Sequence, residues 1–169
     1  MKTAYAIAIA VVVLVLAGFG GYSYYAGSQQ NGHLALTVAD APSSSSVSAV
    51  YITFSAVSIH NNSTGWTNYS VQKTTVNILG LTTSNASLLS NISLHAGKYT
   101  MIRLYITNVT VNLLGQNETF TLNAPFAFVN HPFTVSAHST TGITIDFHLN
   151  QDLNLNSKTF TPYVGFVQQ

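Results

Sequence analysis

Apolar residues recur at every second position through much of the chain after residue 33, and this period constrains the fold more than any other feature. Leu34, Leu36 and Val38 alternate with other residues, and the pattern returns between Val50 and Phe54. Successive side chains of a β-strand point to opposite faces, so this period predicts strands with one buried face. Helical spacing is scarce, and the sequence therefore predicts an all-β domain.

Two long alternations change phase part of the way along. The stretch from Val50 to Ile59 slips near Ser55 and Ala56, and the stretch from Ile102 to Leu113 slips before Asn108. One extra residue in a strand reverses the faces of all later side chains, so each slip predicts a β-bulge. After the second slip, Asn108 is predicted to face solvent.

Turn residues separate about eight short strands, which predicts an antiparallel β-sandwich of the immunoglobulin-like or pilin-like kind. The sandwich is predicted to cover residues 33–169, after a polar linker at 27–32, "GSQQNG". Leu88 to Ile92 is predicted to be a short helical turn. The further predicted strands are Trp66 to Gln72, Thr75 to Leu79, Thr119 to Leu122, Phe133 to Ala137, Gly142 to Leu149 and Thr159 to Val167.

Residues 1–26 contain an uncharged apolar stretch from Ala4 to Gly21, preceded by Lys2 and followed by Tyr22, Tyr24 and Tyr25. This pattern is typical of an export signal. Three interpretations stay open: a cleaved secretory signal, an uncleaved anchor with its tyrosines at the membrane interface, and a pilin-type helix retained in a filament core. All three place the rest of the chain outside the cytoplasm, with membrane contact through this segment before or without cleavage.

Charged residues make up 5% of the chain, with five Lys or Arg against four Asp or Glu. A nucleic-acid partner is not expected, because phosphate binding requires a basic stripe. Acid denaturation mostly reflects protonation of carboxylates that are paired in the native state, and four acids leave little of this effect. The sequence thus predicts a domain that stays folded in strongly acidic surroundings.

Seven asparagines begin an N-x-[ST] motif, the acceptor for N-linked sugar on exported proteins. Three of them lie within the short stretch "HNNSTGWTNYS". N-linked glycans are expected because they would give the surface the hydrophilic cover that charged side chains do not supply. The predicted acceptors are Asn61, Asn62, Asn68, Asn85, Asn91, Asn108 and Asn117.

Residues suited to catalysis are few, and no catalytic or metal-binding residue is predicted. Asp146 and His148 in "TIDFHLN" are two positions apart, which predicts a pair on the outer face of one strand. Calcium sites gather several carboxylates within a short loop, whereas Asp40, Asp146 and Asp152 are spread along the chain. The six His lack zinc-ligand spacing, Cys is absent, and no G-x-S-x-G motif occurs. The prediction is a protein that is not an enzyme and needs no cofactor.

Six sequence blocks and one tryptophan carry a family resemblance. They are "LTVADAP" (Leu36 to Pro42), "VSAVYITFSAVSIH" (Val47 to His60), Trp66, "TVNILGL" (Thr75 to Leu81), "LHAGKYTMIRLYI" (Leu94 to Ile106), "PFTVSAHSTTGITIDFHL" (Pro132 to Leu149) and "FTPYVGFV" (Phe160 to Val167). In this order they resemble the blocks of the domain-of-unknown-function family 4382. The G-x-Y-x-x-I-R-L and I-T-I-D-F blocks are the most specific, while V-A-D-A-P stands where the family often has T-D-A-P.

The resemblance implies an exported or lipid-anchored bacterial or archaeal protein without an established enzymatic role. The chain is also similar to glycosylated thread-type pilin subunits of thermoacidophilic archaea, in which an N-terminal strand of one subunit completes the sandwich of the next. Such β-augmentation joins subunits by main-chain hydrogen bonds and alternate buried side chains. This likeness implies a donor strand from about Tyr22 to Val38, with Tyr22, Tyr24, Leu34, Leu36 and Val38 as its inserted side chains.

Two functions follow from the resemblance and the residues together. The first is a glycosylated subunit of a cell-surface filament, built head to tail from copies of itself by donor-strand complementation. The alternative is a membrane-anchored extracellular adhesion module that binds a glycan or a protein partner. An intact apolar N-terminus in the mature protein would favour the second.

Overall fold

The structure, a computed structural model, describes residues 16–18, 21–22, 30–40 and 47–169. Residues 16–18 and 21–22 are helical. None of the helices in the described part of the chain combines the length and apolarity needed to cross a membrane. Most of the predicted export signal lies outside the described residues.

From residue 31 onward the described chain forms strands and one short helix, α1, at Leu149–Asp152. The first strand includes the last two residues of the predicted polar linker, Asn31 and Gly32. The strands are β1 (Asn31–Asp40), β2 (Val47–Asn61), β3 (Gly65–Ser70), β4 (Thr75–Asn77), β5 (Ser87–His95), β6 (Gly97–Leu113), β7 (Gln116–Leu122), β8 (Phe126–Val135), β9 (Thr140–Phe147), β10 (Leu153–Asn154), β11 (Thr159–Phe160) and β12 (Val164–Gln168).

The strands form two sheets, which confirms the all-β sandwich. The small sheet has the order β12–β9–β1–β5, and the large sheet has the order β10–β11–β7–β6–β2–β3. In the large sheet, β4 also pairs with β2 and β8 with β6. Two pairs are parallel, β1 with β9 and β11 with β7, so the antiparallel prediction is wrong at these places. A period of two specifies which face is buried, and it is the same in parallel and antiparallel ladders.

The two longest strands, β2 and β6, form the spine of the large sheet. Their register shifts between Thr53 and Phe54 and again between Phe54 and Ala56, which confirms the predicted bulges. Asn108, beyond the slip in β6, is exposed as predicted. The bulge lets both halves of each strand bury apolar side chains although the alternation changes phase.

The core lies between the two sheets and includes three phenylalanines from different strands. The ring centroid of Phe147 is 6.2 Å from that of Phe54 and 6.4 Å from that of Phe160. All three side chains are at most 1% exposed. Their contacts hold β2, β9 and β11 together across the sandwich, at separations usual for interacting aromatic rings.

The helical turn predicted at Leu88 to Ile92 is wrong, because these residues lie in β5. Leu89 and Ile92 are buried, whereas Leu88 is 47% exposed. The pairing of β5 with β1 shifts register between Leu36 and Thr37. Leu89 has no register partner at this shift, so Leu89 and Ile92 are both buried although they are three positions apart, and the period of two is lost at this point.

Candidate functional site

The first strand of the domain lies inside the small sheet rather than at its edge. β1 pairs antiparallel with β5 over eight register positions and parallel with β9 over eight more. We name the groove between β5 and β9, residues 87–95 and 140–147, the β1 slot. If the slot were empty, the small sheet would be split and both neighbouring strands would present unpaired backbone groups.

The predicted donor side chains divide into two sets. Leu34, Leu36 and Val38 are 0% exposed and fill the β1 slot of their own chain. Tyr22 is 72% exposed, and Tyr24 lies outside the described residues. The structure therefore places three of the five side chains in a strand that is inserted between two others, within a single copy of the chain.

Gly32 allows the start of β1 to lie close to the turn that precedes β9. A Cβ atom at Gly32 would collide with the carbonyl oxygen of Ser136 and would lie 2.9 Å from a methyl carbon of Val135. The next residue, His33, donates its backbone N–H to the carbonyl oxygen of Ser139 at 2.8 Å. A side chain at position 32 would move β1 away from this turn, so glycine allows the strand to seat.

Two aspartates are buried at the other end of β1. Asp40, the last residue of β1, is 3% exposed, and Asp152 in α1 is 1% exposed. The backbone N–H of Leu149 donates to Asp40 Oδ1 at 3.4 Å. Asp152 accepts from the N–H of Tyr163 at 2.7 Å and from the N–H of His148 at 3.2 Å. These carboxyl groups join the end of β1 to α1 and to the segment that leads into β12.

Burial raises the pKa of Asp40 to about 6 and that of Asp152 to about 6. Backbone N–H donors lower both pKa values, but by less than burial raises them. The charge of Asp146 raises the pKa of Asp40 further, and that of Asp40 raises the pKa of Asp152. Asp40 Oδ2 is buried and has no hydrogen-bond partner among the described residues, which suits a neutral carboxyl better than a charged one.

The predicted surface pair of Asp146 and His148 lies beside this acidic end. Asp146 Oδ2 is 4.0 Å from His148 Nε2, and the two side chains are 24% and 36% exposed. Ile145 and Phe147, which alternate with them, are fully buried as predicted. Asp40 and Asp152, which are spread along the sequence, lie together with this pair in the structure. Asp40 directly follows the buried residues of β1, whereas Asp152 follows the exposed Asn150 and Gln151, so the local sequence does not indicate that the two are buried together.

The acidic end, formed by Asp40 and Asp152, closes the β1 slot. A cleft of about 390 Å³ lies at the opposite end of β1, with Asn31, Tyr69, His95 and Tyr99 in its wall. Within the described ranges, no group of three or more His, Asp or Glu is placed to hold a metal ion. The chemistry that the buried aspartates can perform is uptake and release of protons near pH 6.

The acceptor asparagines lie mostly on the surface. Asn61 is half-buried, and the other six are exposed. The amide nitrogen Nδ2 of Asn61 donates to the carbonyl oxygen of Lys98 at 3.1 Å, so the atom that would carry sugar is already engaged. The exposed acceptors are Asn62, Asn68, Asn85, Asn91, Asn108 and Asn117.

Comparison with known proteins shows to which family the chain belongs. No curated protein and no solved structure matches the chain. The model of the family described as "Domain of unknown function (DUF4382)" matches residues 31–162. The match begins at the first residue of β1 and ends two residues before β12, so it includes the β1 slot and the acidic end. The chain belongs to this family, DUF4382.

Proposed function

We propose that the chain is a non-enzymatic, N-glycosylated structural subunit of an extracellular cell-surface filament. In the filament, β1 of each copy leaves its own domain and fills the β1 slot of the next copy. The partner is a further copy of the same chain, joined head to tail. The apolar N-terminal segment serves export to the cell surface.

The observation that carries this proposal is the position of β1. It is the first strand of the domain, yet it occupies an interior place with a strand on each side. Residues 41–46 join it to β2, and six residues extend to at most about 20 Å. A strand with this connection can exchange between adjacent copies and restore every backbone pair and buried side chain in the partner.

The seating of β1 also supports exchange, because the slot is specific. Leu34, Leu36 and Val38 fill the core, and Gly32 lies against the backbone at Ser136. A strand from another copy has the same residues at the same spacing, whereas an unrelated segment lacks this match. Exchange therefore favours copies of one chain over other partners.

The surface supports the glycosylated part of the proposal. Six acceptor asparagines are exposed on a chain in which charged residues are 5% of the total. Sugar at these positions would keep a nearly uncharged surface solvated without using carboxylates that titrate in acid. The sites lie on strands and turns of both sheets, so a filament of such subunits would be covered on several sides.

Electron microscopy of filaments sheared from the native cells, with peptide mass spectrometry of the same fraction, tests the proposal. The expected result is thin filaments in which this chain is the main component and its acceptor peptides carry sugar. Recovery of the chain only in the membrane fraction, with its apolar N-terminus intact and no filaments, would refute the proposal. That outcome would favour the anchored adhesion module.

A further inference from the structure

The outer face of the large sheet carries an ordered grid of side chains. Four strands, β3, β2, β6 and β8, lie side by side, and paired residues point to the same face. Read across the strands, the rows are Trp66, His60, Met101 and Asn130, then Asn68, Ser58, Arg103 and Phe128, then Ser70, Ala56, Tyr105 and Phe126. We name this surface the Trp66–Arg103 face.

An arginine at the centre of this face is surrounded by aromatic rings. The guanidinium carbon of Arg103 is 4.0 Å from the ring centroid of Trp66, 5.1 Å from that of Phe126 and 5.8 Å from that of Phe128. These distances are within the range of cation–π contacts. The ion pairs within the described residues involve other groups, and Arg103 Nε is buried without a hydrogen-bond partner there. The face thus combines a guanidinium group with flat apolar surfaces.

One acceptor asparagine lies in the middle row of this face. Asn68 is exposed, and its Oδ1 accepts a hydrogen bond from the hydroxyl of Ser58. This bond orients the amide, and Nδ2, the atom that carries N-linked sugar, makes no hydrogen bond within the described residues. Ser58, between Asn68 and Arg103 in the row, is small and 1% exposed, so the larger side chains of this face close over it and lie near the acceptor.

The spacing within β3 places a ring beside the acceptor. Trp66 precedes Asn68 by two positions, so both side chains project from one face of the strand, about 7 Å apart along it. None of the other six acceptors has Phe, Tyr or Trp two positions before it. A sugar ring attached at Asn68 can reach Trp66 and Arg103 without moving the backbone.

We propose that the N-linked glycan of Asn68 packs on the Trp66–Arg103 face, which is a docking surface for the sugar residues nearest the chain. The C–H face of a sugar ring lies against the aromatic rings, and Arg103 donates hydrogen bonds to sugar oxygens. This inference rests on the proposed glycosylation. It adds that one glycan is part of the folded surface, covering Phe128, which is otherwise 42% exposed.

The test uses Trp66 fluorescence, because Trp66 is the single tryptophan of the chain. Ser70→Ala removes the acceptor motif of Asn68 and retains Asn68 with its hydrogen bond to Ser58. Thr110→Ala removes the acceptor motif of Asn108 and also the hydrogen bond from Asn108 Nδ2 to Thr110 Oγ1. Asn108 lies on the large sheet next to Thr53, about 23 Å along β2 from the row of Trp66. Both variants are made in the glycosylated full chain, and glycopeptide mass spectrometry records occupancy of every acceptor.

The expected result is that Ser70→Ala raises the acrylamide quenching constant of Trp66 about twofold, since the ring loses a contact comparable to an aromatic pair. Thr110→Ala leaves the constant unchanged. In chain made without glycosylation, Ser70→Ala has no effect, which separates loss of sugar from the substitution itself. In a glycosylated chain that also carries Arg103→Gln, Ser70→Ala raises the quenching constant of Trp66 by less, because Arg103 and Trp66 contact the same sugar.

Four outcomes would overturn the inference. If Asn68 carries sugar and Ser70→Ala leaves the quenching constant unchanged, the glycan extends into solvent, and the proposed glycosylated subunit still stands. If other acceptors are occupied and Asn68 is not, the docking surface has no covalent ligand. If released glycan protects Trp66 in the unglycosylated chain but the attached glycan does not, the face binds sugar from another source. Absence of sugar from every acceptor would refute the glycosylated subunit as well.

Discussion

Asp40 Oδ1 accepts the backbone N–H of Leu149 at 3.4 Å, joining two residues that are 109 positions apart in the chain. This bond joins the last residue of β1 to the first residue of α1, just after β9. The inserted strand is therefore held at its end by a buried carboxyl group whose charge depends on pH.

The first prediction is that the domain gains stability as the pH falls from 7 to 4. The folded pKa values of Asp40 and Asp152 are about 6, above the ordinary value of 3.8, so the folded state binds these protons more tightly than the unfolded state. Their stabilisation is complete below about pH 4 and is lost as the pH rises through about 6. A pKa that is raised by about two units corresponds to roughly 2–3 kcal/mol in the free energy of unfolding for each group. Denaturant unfolding across this pH range measures the change.

Asp40→Asn should reduce this pH dependence by about half and raise the stability at pH 7, because a neutral amide replaces a buried charge. Glu118→Gln is the matched control: its carboxylate pairs with Lys158 at 2.6 Å on the surface, and its loss should cost at most about 1 kcal/mol. An equally steep dependence in Asp40→Asn would show that Asp40 does not titrate in this range.

The second prediction concerns the seating of β1. Gly32→Ala should destabilise the domain by several kcal/mol, because the added Cβ meets the backbone carbonyl oxygen of Ser136 and the strand must shift. Gly97→Ala is the control, since a Cβ there meets nothing within 4 Å. Thermal unfolding of the two variants gives the comparison. Equal melting temperatures would contradict the close contact at Gly32.

The third prediction separates burial in β1 from exposure in its neighbour. Leu36→Ala should lower the free energy of unfolding by about 2–5 kcal/mol, because Leu36 is 0% exposed between the two sheets. Leu88→Ala in β5, 47% exposed, should lower it by less than about 1 kcal/mol. In the proposed filament, Leu36→Ala should also shorten or abolish the filaments. Similar losses for both leucines by denaturant unfolding would argue against an inserted β1.

The fourth prediction is that Asn62 carries sugar and Asn61 does not. Nδ2 of Asn61 donates to the Lys98 carbonyl oxygen, and its Oδ1 accepts the N–H of Ser63 at 2.8 Å, so both amide atoms are engaged. Asn62 is exposed in the turn between β2 and β3. Site-resolved glycopeptide mass spectrometry distinguishes the two. Sugar on Asn61 with Asn62 bare would show that these hydrogen bonds do not govern which acceptor is used.

Much of the sandwich could be predicted from the period of two, which also located the bulges at Ser55 and before Asn108. The period contains no information on strand direction, so the parallel pairing of β1 with β9 was not predicted. β5 was misread because Leu88 and Leu89 are adjacent apolar residues, only one of which is buried.

The candidate site was less predictable, because it depends on contacts between distant residues. Asp40 and Asp152 are 112 positions apart, and neither residue has a local pattern that indicates burial beside the other. Arg103 and Trp66 likewise meet only when β3, β2 and β6 are aligned in register. Burial of a polar group in a sheet protein follows from the topology, which local spacing does not specify.

Exchange of β1 between copies is the central claim, and an engineered disulfide tests it most directly because the chain contains no Cys. Asn31 in β1 and His95 in β5 are register partners, and directly opposite residues in antiparallel strands are about 4.5–5.5 Å apart between Cα atoms, suitable for a disulfide. The control pair, Thr53 and Thr75, joins β2 to β4 within the same domain.

Filaments of Asn31→Cys/His95→Cys chains are oxidised, denatured and separated by non-reducing gel electrophoresis. Strand exchange predicts a ladder of covalent multimers that collapses to monomer on reduction, while Thr53→Cys/Thr75→Cys gives only internally bonded monomer. Filaments in which Asn31→Cys/His95→Cys chains also yield only internally bonded monomer would show that β1 stays in its own domain, and would contradict the account.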